Sequence, residues 1–128
     1  MRRESLLSED RFEKAARDMR RVEILLAADD VEGAGFHLQQ ATEKYLKGYL
    51  LGKGWELRRT HDLEIFLNEA MVHDSRFEKH LDYCIMIREF YVQERYPFIR
   101  SPPPPRSELE SAVEAIREMV LLIPEEPD

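Results

Sequence analysis

The fold of this chain is decided by one stretch of its sequence, Phe36-His37-Leu38-Gln39-Gln40-Ala41-Thr42-Glu43-Lys44-Tyr45-Leu46-Lys47. Two lines of residues recur there every three or four positions, the spacing that places side chains on one face of an α-helix. The apolar line runs through Ala34, Leu38, Ala41, Tyr45 and Tyr49. Because two aspartates precede the stretch and Gly52 follows it, the pattern predicts a helix over residues 31–52.

Apolar stripes with the same spacing lie on both sides of this helix. They predict four more helices, over residues 8–28, 61–72, 76–95 and 108–123. We expect these helices to begin at hydroxyl caps, namely Ser8, Thr60, Ser75 with Glu78, and Ser107 with Glu110. No segment shows the alternation of apolar and polar residues that is typical of a β-strand. The predicted fold class is therefore all-α, an up-and-down four-helix bundle with an additional short helix.

Length and composition set the broad class of protein. The 128 residues suit one domain, and the region 97–106, which includes Pro102 to Pro105, is expected to be a stiff connector before the last helix. The net charge of −7 argues against a protein that coats nucleic acid through bulk electrostatics. Clustered arginines remain candidates for a local anion site, although pairing with glutamates on exposed helix faces is the simpler interpretation.

Cysteine content and hydropathy indicate the cellular compartment and whether a metal site is expected. Cys84 is the only cysteine, so neither an intrachain disulfide nor a cysteine-based zinc site is expected. His80 lies one turn before Cys84, but two ligands without a third predict no metal site, and a buried cysteine beside a surface histidine is the simpler interpretation. No apolar run reaches the length of a membrane span. We expect a cytoplasmic protein with no membrane association and no cofactor.

Polar residues form their own line on the second helix. Phe36, Gln40, Glu43 and Lys47 follow helical spacing beside the apolar stripe, and Lys44 is close by. One interpretation is a solvated face in which Glu43 and Lys47 support the helix. The other is a ligand face, with Gln40, Glu43, Lys44 and Lys47 as binding residues.

Two further segments are candidate sites. In Tyr91-Val92-Gln93-Glu94-Arg95-Tyr96-Pro97 a helix ends at a proline, where an arginine fork and an aromatic ring are placed to meet an anion or a base. Packing of the tyrosine and capping of the last carbonyls by Arg95 is the alternative. In Thr60-His61-Asp62-Leu63, His61 is either an acid–base group at a helix start or a locally hydrogen-bonded residue.

Taken together, three motifs resemble the HEPN family in order and spacing over nearly the whole chain. They are the glutamine, glutamate and lysine residues of the second helix, the Thr60-His61-Asp62-Leu63 start, and Glu94-Arg95-Tyr96-Pro97 before the last helix. The resemblance implies a helical bundle, commonly a homodimer, often encoded beside a minimal nucleotidyltransferase. It also implies nucleotide binding or a role in toxin–antitoxin systems.

Many members of that family are ribonucleases that carry a histidine a few residues after an arginine on the corresponding helix. Here the positions that follow Arg88 at that spacing are Gln93, Glu94 and Arg95, none of them histidine. Without an imidazole there, the acid–base partner for attack by a ribose hydroxyl is missing. The resemblance therefore favours the fold over the nuclease activity.

Three functions remain open from the sequence. The first is a non-catalytic module that binds a nucleotide, RNA or a nucleotidyltransferase partner, with Arg95, Tyr96 and Lys47 as leading ligand residues. The second is a divergent metal-independent ribonuclease that uses His61 with Arg95. The third is a purely structural protein whose tyrosines and apolar stripe bury a dimer interface.

Overall fold

The computed structural model describes residues 2–54, 56, 60, 62–95 and 105–124, with the side chains of all of these except residues 2–9 and 91–95. The α-helices in this part of the chain are α1 (Arg2–Ala27), α2 (Val31–Gly52), α3 (Leu63–His73), α4 (Leu81–Arg95) and α5 (Arg106–Val120). A 3-10 helix, Ser75–His80, leads into α4. No strand occurs among the described residues, so the prediction of an all-α fold with five α-helices is confirmed.

Short connections and cross-helix contacts establish the up-and-down arrangement. Asp29, with a φ of 62°, turns the chain between α1 and α2, and Asp30 caps α2 by accepting a hydrogen bond from the backbone N–H of Gly33 at 2.9 Å. The helix α4 runs antiparallel to α2, since Phe90 near its end packs on Gly35 whereas Phe77 before its start packs on Tyr49.

The last helix returns along the first. Arg106 NH1 lies 2.8 Å from the carboxylate of Asp29, and Arg117 hydrogen-bonds Glu23 closer to the middle of α1. Helix α5 is therefore antiparallel to α1 and closes the bundle. Among the described residues, no helix is both long enough and apolar enough to cross a bilayer.

A single hydrophobic core fills the space between these helices. The four apolar residues at helical spacing on α3, which are Leu63, Phe66, Leu67 and Ala70, are completely buried. The stripe of α2 supplies the centre of the core, and α4 and α5 close it. The largest apolar side chains buried there are Phe66, Phe77, Leu38, Leu46, Leu50, Leu63, Leu67, Ile87, Leu109, Ile116 and Met119.

Two of the predicted helix starts are wrong, and in each an aspartate takes the capping role. The helix predicted from residue 76 also begins as the 3-10 helix, so that α4 starts only at Leu81. Asp62, rather than Thr60, caps α3 by accepting from the backbone N–H of Glu64, while the Thr60 hydroxyl accepts from the N–H of Asp62. Asp74, rather than Ser75, caps the 3-10 helix through the N–H of Arg76. A carboxylate accepts such bonds more strongly than a hydroxyl because it is charged.

The starts predicted at Ser8 and Ser107 are also wrong, since both serines lie inside helices. Helix α1 begins at Arg2, and α5 begins at Arg106 with Pro105 in the cap position and no side-chain capping bond. Pro105 has a φ of −59°, the value to which its ring restricts it and one that leads directly into a helix. Residues 97–104 of the expected connector lie outside the described residues.

Candidate functional site

The polar residues of α2 divide between two sides of that helix. Gln39, Glu43 and Lys47 form one group, which lies toward α3. Lys44, together with His37, forms another group, which lies toward α1. The residues that the sequence placed in one ligand face are therefore distributed between two separate networks.

The network toward α3 is buried and internally hydrogen-bonded. Gln40 Nε2 donates to Gln39 Oε1 at 2.6 Å, Gln39 Nε2 donates to Glu43 Oε1 at 3.5 Å, and Lys47 Nζ donates to Glu43 Oε2 at 3.4 Å. The ammonium of Lys47 also lies 5.1 Å from the centre of the Phe66 ring. With Glu43 only 5% and Lys47 only 8% exposed, the interpretation of this stripe as a solvated face is wrong for its second half.

The network toward α1 is centred on Asp18, which is 1% exposed. One of its oxygens, Oδ1, lies 3.1 Å from both Arg21 NH1 and His37 Nδ1, and the other accepts a hydrogen bond from Lys44 Nζ. Three nitrogen donors from two helices thus converge on one carboxylate. We call Asp18, Arg21, His37 and Lys44 the Asp18 cluster.

The Asp18 carboxyl is held in its ionised form. Burial alone would raise the pKa of this carboxyl. Hydrogen bonds from Lys44, His37 and Arg21, together with the charge of Lys44, outweigh that effect, so that the pKa lies below its ordinary value. Asp18 was not among the site residues predicted from the sequence. Its position at helical spacing between the buried Ala15 and Val22 was the available signal, because a lone carboxylate at the edge of an apolar stripe needs a partner.

Arg88 connects α4 to the start of α3. Its NH1 lies 3.3 Å from Asp62 Oδ1 and 3.5 Å from Glu64 Oε1, with the arginine side chain 31% exposed. Asp62 therefore both caps α3 and pairs with α4. His61, the predicted acid–base candidate next to Asp62, lies outside the described residues.

Arg95 is the last residue of α4, while its side chain and the whole of Tyr96 lie outside the described part. Lys47 is twelve residues beyond Gly35, the residue on which Phe90 packs, and Arg95 is five residues beyond Phe90 in the opposite direction. At about 1.5 Å of rise per residue, the backbones of Lys47 and Arg95 are roughly 25 Å apart along the bundle. The structure does not bring these two ligand candidates together within one subunit.

His80 and Cys84 are both buried in the core. The expectation of a surface histidine is wrong, since His80 is 2% exposed. Among the described residues its Nε2 has no hydrogen-bond partner. Burial lowers the pKa of His80, and burial raises the pKa of the Cys84 thiol to about 12. Within the described residues, no three histidine, cysteine or acidic side chains are grouped as metal ligands.

The fold and these buried polar networks define a small all-α bundle whose second helix carries charge into the interior. A comparison with protein families matches the HEPN domain over residues 8–126, so the chain belongs to the HEPN family. At the level of the family, this is a nucleotide-related or ribonuclease-like module. Comparisons with curated proteins and with solved structures found no match.

Proposed function

We propose that this HEPN chain is a non-catalytic module that binds a nucleotide, a nucleotidyltransferase partner, or both, in a system of the toxin–antitoxin kind. The observation that carries the non-catalytic part of the proposal is the environment of Arg88, both its ion pairs and the residues that follow it. Its guanidinium pairs with Asp62 and Glu64, and the helix positions that follow it at the ribonuclease spacing hold no imidazole.

An arginine that serves a reacting phosphate must present its charge to that phosphate. The guanidinium of Arg88 instead faces two carboxylates at the start of α3, which offset its single positive charge. A proton acceptor is also needed to activate the ribose hydroxyl, and Gln93, Glu94 and Arg95 supply no histidine for this step. Both observations support binding rather than cleavage.

The ligand is proposed to contact Arg95 and Tyr96. Arg95 ends α4 at the end of the bundle where α2 begins, because Phe90 packs on Gly35. An arginine fork and a tyrosine ring suit the phosphate and the base of a nucleotide. Glu43 and Lys47 are given a structural role instead, because they pair with each other in the interior.

Calorimetric titration with ATP tests the nucleotide part. We expect binding by the unmodified protein and a loss of about tenfold or more in affinity for Arg95→Ala, the effect of removing one charged hydrogen bond. Arg76→Ala is the matched control, since Arg76 is an exposed arginine before α4, at the opposite end of the bundle. Equal affinities in the two variants would remove Arg95 from the site.

The partner part is tested by co-expression with the product of the neighbouring open reading frame. A nucleotidyltransferase that co-purifies at fixed stoichiometry supports the proposal, whereas separate elution of the two chains counts against it. Light scattering on the isolated chain tests the homodimer that the family resemblance implies, and a strict monomer at high concentration would count against it. We expect RNA to stay intact during prolonged incubation with clean protein. Cleavage would contradict the non-catalytic proposal and support the ribonuclease alternative.

A further inference from the structure

We infer that the outer face of the α1–α2 hairpin is a phosphate-binding surface, centred on the Asp18 cluster. The inference rests on the proposed ligand class, because it assigns the place where phosphate groups of a nucleotide or of an RNA backbone are held. Its residues come from α1 and α2 alone, away from the end of α4 where Arg95 lies.

The cluster contains more positive charge than its carboxylate offsets. Arg21 and Lys44 are permanent cations at neutral pH, and Asp18 is the only carboxylate of the described part within ion-pair distance of either. One buried negative charge therefore faces two positive charges and an imidazole. The remaining positive charge is free to attract an anion.

Unused hydrogen-bond donors remain on these cations, and they are accessible. Lys44 has three N–H groups and Arg21 has five, yet each side chain makes one hydrogen bond, to Asp18. The side chain of Arg21 is 55% exposed and that of Lys44 is 26% exposed. Asp18 thus holds the two cations near each other while their outer donors face solvent.

His37 adds a third hydrogen-bond donor to the Asp18 carboxylate. Its Nδ1 is occupied by Asp18, and the edge contact with the Phe36 ring, with centroids 5.6 Å apart, restricts the imidazole. The imidazole therefore helps to hold the Asp18 carboxylate beside the two cations.

Neighbouring residues of α1 extend the positive surface. Arg11, Lys14, Asp18 and Arg21 follow one another at helical spacing, and Arg17 is exposed one turn before Arg21. Lys14 is paired with Asp10 at 3.0 Å, whereas the Nε of Arg11 is buried with no partner in the described part of the chain. On a chain with a net charge of −7, this concentration of cations is a local exception that favours phosphate.

Two matched pairs of substitutions test the surface. The first pair, Arg21→Gln with Lys44→Gln, removes both cations that pair with Asp18, one from α1 and one from α2. The control, Arg106→Gln with Arg117→Gln, removes two cations that pair α5 with α1, and so causes the same change in net charge. The probes are a fluorescent 12-nucleotide single-stranded RNA, followed by anisotropy, and ATP as its competitor.

We expect the Arg21/Lys44 variant to bind the RNA about tenfold more weakly or worse, while the control variant changes little. Loss of two phosphate contacts should also make the plot of log K against log salt concentration less steep, with a slope smaller in magnitude by about 1.4 for a single strand. Competition by ATP identifies a nucleotide phosphate as sufficient, whereas binding that ATP does not displace identifies the backbone of RNA. Either result supports the surface.

Equal weakening in both double variants overturns the inference, because it would reflect net charge alone. Unchanged RNA binding in the Arg21/Lys44 variant, with weakened binding in Arg95→Ala, also overturns it and leaves the proposed function standing. If the unmodified protein binds neither probe, the nucleotide part of the proposed function fails with it. Should the double variant not fold by circular dichroism, Lys44→Gln alone against Arg117→Gln makes the same comparison.

Discussion

The ring of Phe90 lies against the backbone of Gly35 so closely that a Cβ on Gly35 would fall 2.2 Å from Phe90 Cδ1 and 2.5 Å from its Cγ. This contact sets the distance between α2 and α4. Because Phe90 is 3% exposed and the overlap reaches the base of its side chain, the ring has no open space into which to rotate.

Gly35→Ala should therefore destabilise the protein by about 1–3 kcal/mol, since overpacking outweighs the helix propensity gained from alanine. Urea unfolding followed by circular dichroism measures the change. Gly48→Ala is the comparison: there the overlap is 2.6 Å with the outer Cε1 of the half-buried Phe12, and we expect a smaller loss. Adding Phe90→Leu should recover part of the stability of Gly35→Ala, and strictly additive effects would contradict the contact.

Asp18→Asn should cost about 1–3 kcal/mol at pH 7, because it removes the charge that accepts three hydrogen bonds. The pKa of Asp18 in the folded chain lies below its ordinary value of 3.8, so its stabilisation is complete above that value and is lost as the pH falls through the folded pKa. The difference between the two proteins should thus shrink at acidic pH. Unfolding free energies at pH 7 and pH 3 measure this.

Asp10→Asn is the control for Asp18→Asn. Asp10 also pairs with a lysine, but its side chain is 54% exposed, so its removal should change stability by less than about 1 kcal/mol. A similar loss in both variants would show that Asp18 has no special role in joining α1 to α2.

His80→Leu should reduce the loss of stability on acidification. Burial lowers the pKa of His80 below its ordinary 6.5, so the folded chain keeps the imidazole neutral while the unfolded chain binds a proton as the pH falls through that value. Lys79 opposes and Glu118 favours the charged form in the folded chain. Thermal melting at pH 7.5 and pH 5.5 compares the variant with the unmodified protein, which should lose more stability.

The leucine variant should be at least as stable as the unmodified protein at pH 5.5, because it also removes the unpartnered Nε2 from the core. His73→Gln, a change at an exposed histidine, controls for the loss of one titratable residue. An unchanged dependence on pH in His80→Leu would show that His80 has no part in it.

Cys84 should resist alkylation as long as the chain is folded. Burial raises its pKa to about 12, and the thiolate is the reactive form. With iodoacetamide at pH 8, labelling should follow global unfolding and become rapid only in urea, as mass spectrometry can measure. Fast labelling of the native protein would indicate that α4 opens away from the core.

The five-helix architecture was predictable because helical periodicity is a local property. The inward residues of α3 and most of those of α2 and α5 follow from their spacing, which places them on one side of each helix before any packing is known. Helix starts were less predictable. Asp62 and Asp74 lie within two residues of the hydroxyl residues expected as caps, and only the backbone geometry shows which side chain reaches an N–H.

The candidate site was predictable in part. Lys44 and Gln40 were identified from the sequence, but Asp18, which holds Lys44, was not, because the two residues are 26 positions apart and meet only when α1 folds back on α2. Likewise, Arg88 was considered only as the start of a ribonuclease motif. Its pairing with Asp62 and Glu64 depends on how α4 crosses the beginning of α3.

The polar stripe of α2 separates the two sources of information. The sequence by itself determined that Gln40, Glu43 and Lys47 share one side of a helix, since 3.6 residues per turn sets their angular positions. Only the tertiary structure decided that Glu43 and Lys47 are buried together beside Phe66 while Lys44 turns toward Asp18. Local spacing sets the direction of a side chain, and whether that direction meets water or a neighbouring helix depends on contacts that are distant in the chain.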